Sequence, residues 1–237
     1  MLSELTIVSS ARNERENVDL FVELVRELRI HFAYPIKVVI VDNGSSDGTY
    51  QKLSEISNSL MGFRAVRNET PGGYGDGIGL ALSLCQTKYA LIVPSDLQYR
   101  TQDCIKVLEA FLGLNSSSSS VAIFTFRRNR FDSAFARKRG EIWRYLCIKM
   151  LRLPSYFDPA SQLKILPIDI SMNCKSHNFI WDIESTWRVY NFQASIFMVD
   201  VTLYDRTKGE SSLSAIFFVS ELVALRSLIT LRRQLEV

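Results

Sequence analysis

Ile36-Lys37-Val38-Val39-Ile40-Val41-Asp42-Asn43-Gly44-Ser45-Ser46-Asp47-Gly48-Thr49 reads as a strand, a tight turn and the start of a helix. Residues 36–41 form a β-branched run of the kind that a strand buried on both faces carries. Gly44 to Gly48 breaks the run, and residues 49–56 read as a helix. Ligands of open α/β sheets bind at the carboxyl ends of strands. A carboxylate there, Asp42, can accept hydrogen bonds from a ribose or a base N–H, and the small turn residues allow close approach. Taken alone, an acidic turn of this kind is more often plain turn chemistry.

The pattern repeats on both sides. Residues 6–9 are a short apolar run, and 14–28 place Val18, Phe21, Val22, Val25 and Leu28 on one helical face. Residues 62–67 read as a weaker strand, with a Pro-Gly-Gly turn at 71–73. A helix is expected from about 76 to 85, and a buried strand at 89–93. Such alternation predicts an α/β fold with a mostly parallel sheet flanked by helices. The five serines at 116–120 read as a surface loop before a strand at 121–126. Beyond Arg127 the alternation stops. A basic, partly helical segment runs to Leu153, residues 154–166 follow, then a helix at 183–190 and a strand at 194–201.

The chain has 237 residues, 47% of them apolar and 22% charged, which suits a sizeable core and not disorder. Its net charge is only +3. Between Arg127 and Arg152, however, nine Arg or Lys face two acids, a local excess of +7. Local charge without a recognisable nucleic-acid module disfavours a nucleic-acid partner. Cys85, Cys104, Cys147 and Cys174 form no CxxC pair and read as reduced thiols, and His31 and His177 suggest no histidine metal site. No secretory signal is evident, and no apolar run is long enough to read as a membrane span.

Ser9-Ser10-Ala11-Arg12-Asn13-Glu14 closes the first strand. Together with the Asp42 turn it resembles the paired signatures of family 2 glycosyltransferases, and the order of later elements resembles the polyprenyl-phosphate mannose or glucose synthases among them. The resemblance spans about residues 5–212 and implies the GT-A fold, a Rossmann-like sheet with an acceptor-side extension. It implies that Ala11, Asn13, Glu14 and Asp42 line a nucleotide pocket. Asp47 and Thr49 match as well, but they also suit helix capping. Gly72-Gly73-Tyr74-Gly75-Asp76-Gly77 matches the family's glycine-rich loop, which places Gly73 beside a diphosphate at a helix N-terminus.

Pro94-Ser95-Asp96-Leu97-Gln98 stands where the family has an Asp-x-Asp-Leu-Gln metal motif. Asp96 and Gln98 match as candidate metal ligands, and oxygen donors suit Mg²⁺ or Mn²⁺. Pro94 replaces the first Asp, so the expectation is a weakened metal site. On the acceptor side, Arg127, Arg128, Arg137 and Arg139 are candidate phosphate ligands, since the guanidinium fork binds phosphate in a bidentate manner. Phe157 to Ile165 resembles an Asp-Pro-x-Ser-Gly-x-Lys element, with Gln162 in the glycine's place and Asp158 a candidate acceptor ligand. Trp181-Asp182-Ile183-Glu184 resembles the acidic element where sugar and acceptor meet. Tyr204 to Ser212 resembles an Arg-x-x-Gly-x-Ser loop that closes over the donor, which singles out Arg206 and Ser212. Asp96, Asp182 and Arg206 are the candidate catalytic set.

The resemblance implies transfer of a hexose from a GDP- or UDP-sugar with inversion at the anomeric carbon. A polyprenyl phosphate acceptor is already largely ionised near neutral pH and needs cations more than a base, whereas a hydroxyl acceptor on a glycan needs Asp182 or Glu184 as base. A catalytically impaired sugar-nucleotide-binding or scaffold protein is the alternative that Pro94 keeps open. The domain reading is a catalytic domain over 1–212 and an amphipathic helical tail over 213–237. The basic segment and this tail lead to the expectation of a cytoplasmic protein peripheral to an anionic membrane surface. Packing of the tail on its own domain, or on a second subunit of a homo-oligomer, is the other reading.

Overall fold

The computed structural model describes residues 1–114, 120–131, 133–206 and 217–235, with side chains from 223 onward in the last segment. Fifteen elements follow one another among them. They are β1 (Leu5–Ala11), α1 (Val18–His31), β2 (Lys37–Asp42), α2 (Thr49–Ser59), β3 (Phe63–Arg67), α3 (Tyr74–Ser83), β4 (Tyr89–Ile92) and α4 (Thr101–Leu112). Then come β5 (Val121–Arg130), α5 (Ala134–Leu151), β6 (Lys164–Pro167), α6 (Ile168–Ser171), α7 (Ile180–Asn191), β7 (Ser195–Leu203) and α8 (Phe217–Gln234).

One seven-stranded sheet has the order β3-β2-β1-β4-β6-β5-β7. All neighbours pair in parallel except β6, which is antiparallel to both β4 and β5. The chain steps from β1 outward to β2 on one side and to β4 on the other, so the strand order reverses at β1. A crevice opens outside the carboxyl ends at such a reversal. The double inversion around β6 returns β5 and β7 to the direction of β4. The carboxyl ends of β1, β2, β4, β5 and β7 therefore share one edge, and β6 begins there, with Lys164 opposite Ile92.

Side chains alternate across this sheet as a period of two requires. Ile7, Val38, Ile40 and Leu91 face one layer with α1, α2 and α4 through Phe21, Leu53 and Phe111. Val8, Val39, Val41 and Ile92 face the other, with α3, α5, α7 and α8 through Ile78, Cys147, Trp181 and Leu228. Each fully buried large apolar side chain contributes about 1.5–3 kcal/mol. Both faces are covered, which is why the strands read as continuous apolar runs.

Some elements differ from the sequence reading. The first helix begins at Val18 and not at residue 14, because the Glu14 and Arg15 amides donate to Thr49 Oγ1 and Asp47 Oδ2 instead of entering a helix. The basic segment is a full 18-residue helix, α5, capped by Ser133, whose hydroxyl accepts from the Ala136 amide at 3.2 Å. Helix α4 was passed over, although Cys104, Val107, Leu108 and Phe111 give it a helical stripe. The tail's described part is helical, and Ala224, Leu228 and Leu231 are buried in the layer shared with α5 and α7. Among the described residues no helix is long and apolar enough to cross a membrane.

Candidate active site

The first two strand ends are stitched together before any ligand arrives. Ala11 and Asp42 are register partners, and the Asn43 amide donates to the Ala11 carbonyl at 2.8 Å. Asn13, at φ +56°, donates its amide to Ser45 Oγ at 2.9 Å and accepts from the Ser46 amide through Oδ1 at 2.9 Å. Asp47 accepts from the Arg15 amide and from both the amide and hydroxyl of Thr49. Burial works to raise the Asp47 pKa, but these bonds outweigh it and the pKa is lowered. Asp47 and Thr49 thus hold the turn. Gly44 has φ +80°, and a Cβ there would stand 2.7 Å from Pro71, so only glycine fits.

Asp42 is fully buried at the end of β2. Its Oδ2 receives a long bond of 3.4 Å from the Ser45 amide, and its Oδ1 has no partner. A buried carboxylate oxygen without a donor is costly unless a ligand supplies one. Asn43 beside it is braced on Gly73 O at 2.8 Å and on Asn68 at 2.9 Å.

The glycine-rich loop has an architectural reason. A Cβ at Gly73 would lie 2.3 Å from His177 O, one at Gly75 2.1 Å from Ser176 O, and one at Gly77 2.0 Å from Ser10 Oγ. The glycines let the first turn of α3 close onto residues 176–178 and onto β1. The Gly73 amide already donates to Asp76 Oδ2 at 2.8 Å.

After β4, Ser95 Oγ donates to Ser10 O at 2.9 Å, and Leu97 takes φ +57°. These two features turn Asp96 inward, where it is 7% exposed. Arg206 Nη2 lies 3.1 Å from Asp96 Oδ2, and its Nη1 lies 3.9 Å from Glu14 Oε1. Burial raises the pKa of both carboxylates and Arg206 opposes it, while the Asp96 charge raises that of Glu14 further. Gln98 donates its side-chain amide to Tyr204 O at 3.2 Å, and the Tyr204 amide donates to Gln98 O at 2.9 Å. Tyr204 itself stacks on Phe131 with ring centroids 5.5 Å apart, and the Arg100 guanidinium lies 3.9 Å from its centroid. Among the described residues no three His, Cys, Asp or Glu side chains converge on a metal position. Of the two candidates, Asp96 alone supplies a carboxylate for an ion that a diphosphate also grips, since Mg²⁺ is commonly held by one or two carboxylates plus phosphate oxygens, and the Asp96 Oδ2 faces the Arg206 guanidinium.

The acceptor side holds two buried ion pairs. Arg127 grips Asp158 through Nε and Nη2, each at 2.7 Å, and its amide adds a third bond at 3.3 Å. The two residues singled out separately as ligands are therefore partners. Burial would raise the Asp158 pKa, but Arg127 overcomes it and lowers it. Lys164 Nζ lies 3.1 Å from Asp182 Oδ1, without hydrogen-bond geometry there, and donates to the Asp182 carbonyl at 3.2 Å. Both are fully buried; burial raises the Asp182 pKa and lowers that of Lys164. Glu184 holds the backbone: it accepts from the Lys175 and Ser176 amides and from Arg188.

The remaining basic candidates stand apart. Arg128 pairs with Asp200 at 3.0 Å on the exposed edge. Arg137 and Arg139 are exposed on the first turns of α5, Arg137 donating to Arg130 O at 3.3 Å. Ser212 lies outside the described residues. Ala11, Asn13, Glu14, Asp42, Asp96, Gln98 and Arg206 come together at one edge of the sheet, with Asp158, Asp182 and Arg127 beside them. Lys164 and Tyr74 were missed, although both stand inside motifs quoted from the sequence.

The model of glycosyl transferase family 2 matches residues 6–171. A curated relative, an uncharacterized protein of Methanocaldococcus jannaschii, is 28% identical over 123 residues, covering 50% of this chain and 49% of that protein. The chain thus matches about half the length of that relative. Among solved structures, glucosyl-3-phosphoglycerate synthase from Mycobacterium tuberculosis in complex with Mn²⁺, UDP and phosphoglyceric acid aligns with TM-score 0.70 at 15% identity, over 96% of this chain and 76% of that one. The same synthase with Mg²⁺ and UDP aligns with TM-score 0.68 at 15% identity, over 96% and 77%. The form with Mn²⁺ and UDP-glucose gives 0.68 at 15%, over 98% and 76%. At that identity the likeness is one of fold.

Proposed function

The chain belongs to glycosyl transferase family 2, and from that premise we propose that it moves a hexose from a nucleotide sugar to a polyprenyl phosphate, with inversion at the anomeric carbon. One observation carries this reading: Arg206 reaches Asp96 and Glu14 together, so that three sequence-distant elements meet around one position for a diphosphate. Asp42, with its unpartnered oxygen, is the group proposed for the ribose or base. Arg206 would stabilise charge growing on the leaving group. Asp96 and Gln98 would hold a divalent cation shared with the diphosphate, which when bound neutralises the leaving group. With Pro94 in the motif, the protein's own share of that site is small.

Support for the lipid acceptor comes from α5. It leaves the site edge of the sheet right after β5, and its outer face exposes Phe135, Lys138, Ile142, Tyr145 and Lys149 in a helical stripe. Apolar and cationic side chains together suit an anionic leaflet. The proposal therefore includes a peripheral position on the cytoplasmic membrane face. A second reading, transfer to a hydroxyl, is favoured by Asp182, whose buried carboxylate has the raised pKa that a general base needs. The test is incubation with UDP- and GDP-sugars, with and without polyprenyl phosphate. Transfer to the lipid phosphate supports the first reading; transfer only to a hydroxyl acceptor supports the second. Asp42→Ala is expected to weaken nucleoside diphosphate binding about tenfold or more by calorimetry, because a hydrogen bond to a charged group is lost.

A further inference from the structure

Tyr74 opens α3 in the middle of the glycine-rich loop. Its ring packs against the core layer that contains Trp181, yet its hydroxyl is buried and has no hydrogen-bond partner. The placement is enforced by its neighbours. A Cβ at Gly75 would stand 3.0 Å from the Trp181 Cβ, and one at Gly73 would strike the backbone at His177 and Asn178. The first turn of α3 is thus pressed against the start of α7, one residue from Asp182. Burial and then the charges of Asp182 and Asp96 push the Tyr74 proton firmly onto its oxygen. The hydroxyl therefore keeps its proton and can donate it in a hydrogen bond.

Natural proteins rarely leave a buried hydroxyl unbonded, and each case asks for a reason. The Gly73 carbonyl accepts from Asn43, the neighbour of Asp42 on the nucleotide side of the site, and the same turn meets Trp181, the neighbour of Asp182 on the acceptor side. Of the parts of a nucleotide sugar that lie between nucleoside and acceptor, the hexose is the one on the Trp181 side. We propose that the Tyr74 hydroxyl donates a hydrogen bond to an oxygen of the donor's hexose, and so helps select and orient the sugar that is transferred. This rests on the nucleotide-sugar reading above. A site built to bond a sugar oxygen rejects a donor that lacks it, because the buried phenol is then left without a partner.

The experiment is calorimetry of the full chain and of Tyr74→Phe, with UDP-glucose and UDP, and with GDP-mannose and GDP. Tyr74→Phe keeps the ring and removes only the oxygen. The expected result is about a tenfold loss of affinity for the sugar nucleotide that the wild type prefers, with less than a twofold change for its parent diphosphate. Thermal stability should hold or rise, since an unpartnered buried polar atom is removed. Equal losses for sugar nucleotide and diphosphate would move the hydroxyl to the phosphates and overturn the proposal, as would unchanged binding of both. A sharp fall in melting temperature would reveal a structural partner and overturn it too. If the wild type binds none of the four ligands, the nucleotide-sugar reading itself fails and takes this inference with it.

Discussion

Arg206 and Asp96, 110 positions apart in the chain, form an ion pair of 3.1 Å at the carboxyl edge of the sheet. The guanidinium is 28% exposed and the carboxylate 10%. Partial burial makes the contact worth more than a surface pair, yet leaves one side open to a ligand.

Arg206→Ala is expected to lower kcat/KM by a factor of about 100, the loss typical of one contact to developing negative charge. The fold should survive, because the pair stands at the rim and outside both core layers. Steady-state kinetics beside a thermal melt checks this. Near-normal turnover in a folded variant would remove Arg206 from the catalytic set.

Metal dependence is expected to be weak and to require nucleotide. Mn²⁺ titration followed by electron paramagnetic resonance should show little binding to the protein alone, and more when UDP or GDP is present. Pro94→Asp should enlarge the effect of Mn²⁺ on nucleotide affinity, and Asp96→Ala should abolish it. Tight Mn²⁺ binding that Asp96→Ala leaves intact would overturn the assignment of this loop.

Acid should unlock the Arg127–Asp158 clasp. Asp158 has a folded pKa below its unfolded value, so it contributes stability that is present above the ordinary carboxylate range and is lost as pH falls through the folded pKa. Glu14, Asp96 and Asp182 have raised pKa values and act in the opposite sense: ionising them costs stability, and the cost is relieved as pH falls. Asp158→Asn should therefore show a flatter dependence of unfolding free energy on pH below about pH 4. It should also lose about 1–3 kcal/mol near neutrality, because hydrogen bonds between charged groups are weakened. Urea unfolding across that range measures both.

Co-sedimentation with phosphatidylglycerol vesicles tests the membrane half of the functional proposal. Binding is expected at low salt and should fall as salt rises, since lipid attraction is screened. Lys138→Glu with Lys149→Glu should weaken it strongly. A wild type that stays in the supernatant at low salt would leave the hydroxyl acceptor as the better reading.

The sheet was legible because both its faces are covered: within 36–41 only the exposed Lys37, at the start of β2, interrupts the apolar run. The carboxyl-edge positions were legible because Asp42 ends a strand and Asn13 and Asp96 come within a few residues of one. Pairings across the fold were not. Arg127 and Asp158 lie 31 positions apart on β5 and a loop, and each looks like a phosphate or sugar ligand until the other is seen. The pairing of Asp182 with Lys164 is hidden for the same reason, since Lys164 starts a strand of only four residues. Helix α4 carries a periodic signal of its own in Cys104, Val107, Leu108 and Phe111.

Tyr204 gives this site a property of reach. The ring is clasped between Phe131 and Arg100, and its backbone is tied on both sides to Gln98. Only Asp205 separates that mooring from Arg206, so the Arg206 Cα can stray no more than about 7 Å from the Tyr204 Cα. The guanidinium is on a short leash. The charge beside Asp96 is thus positioned from the end of β7, by residues that precede it in the chain.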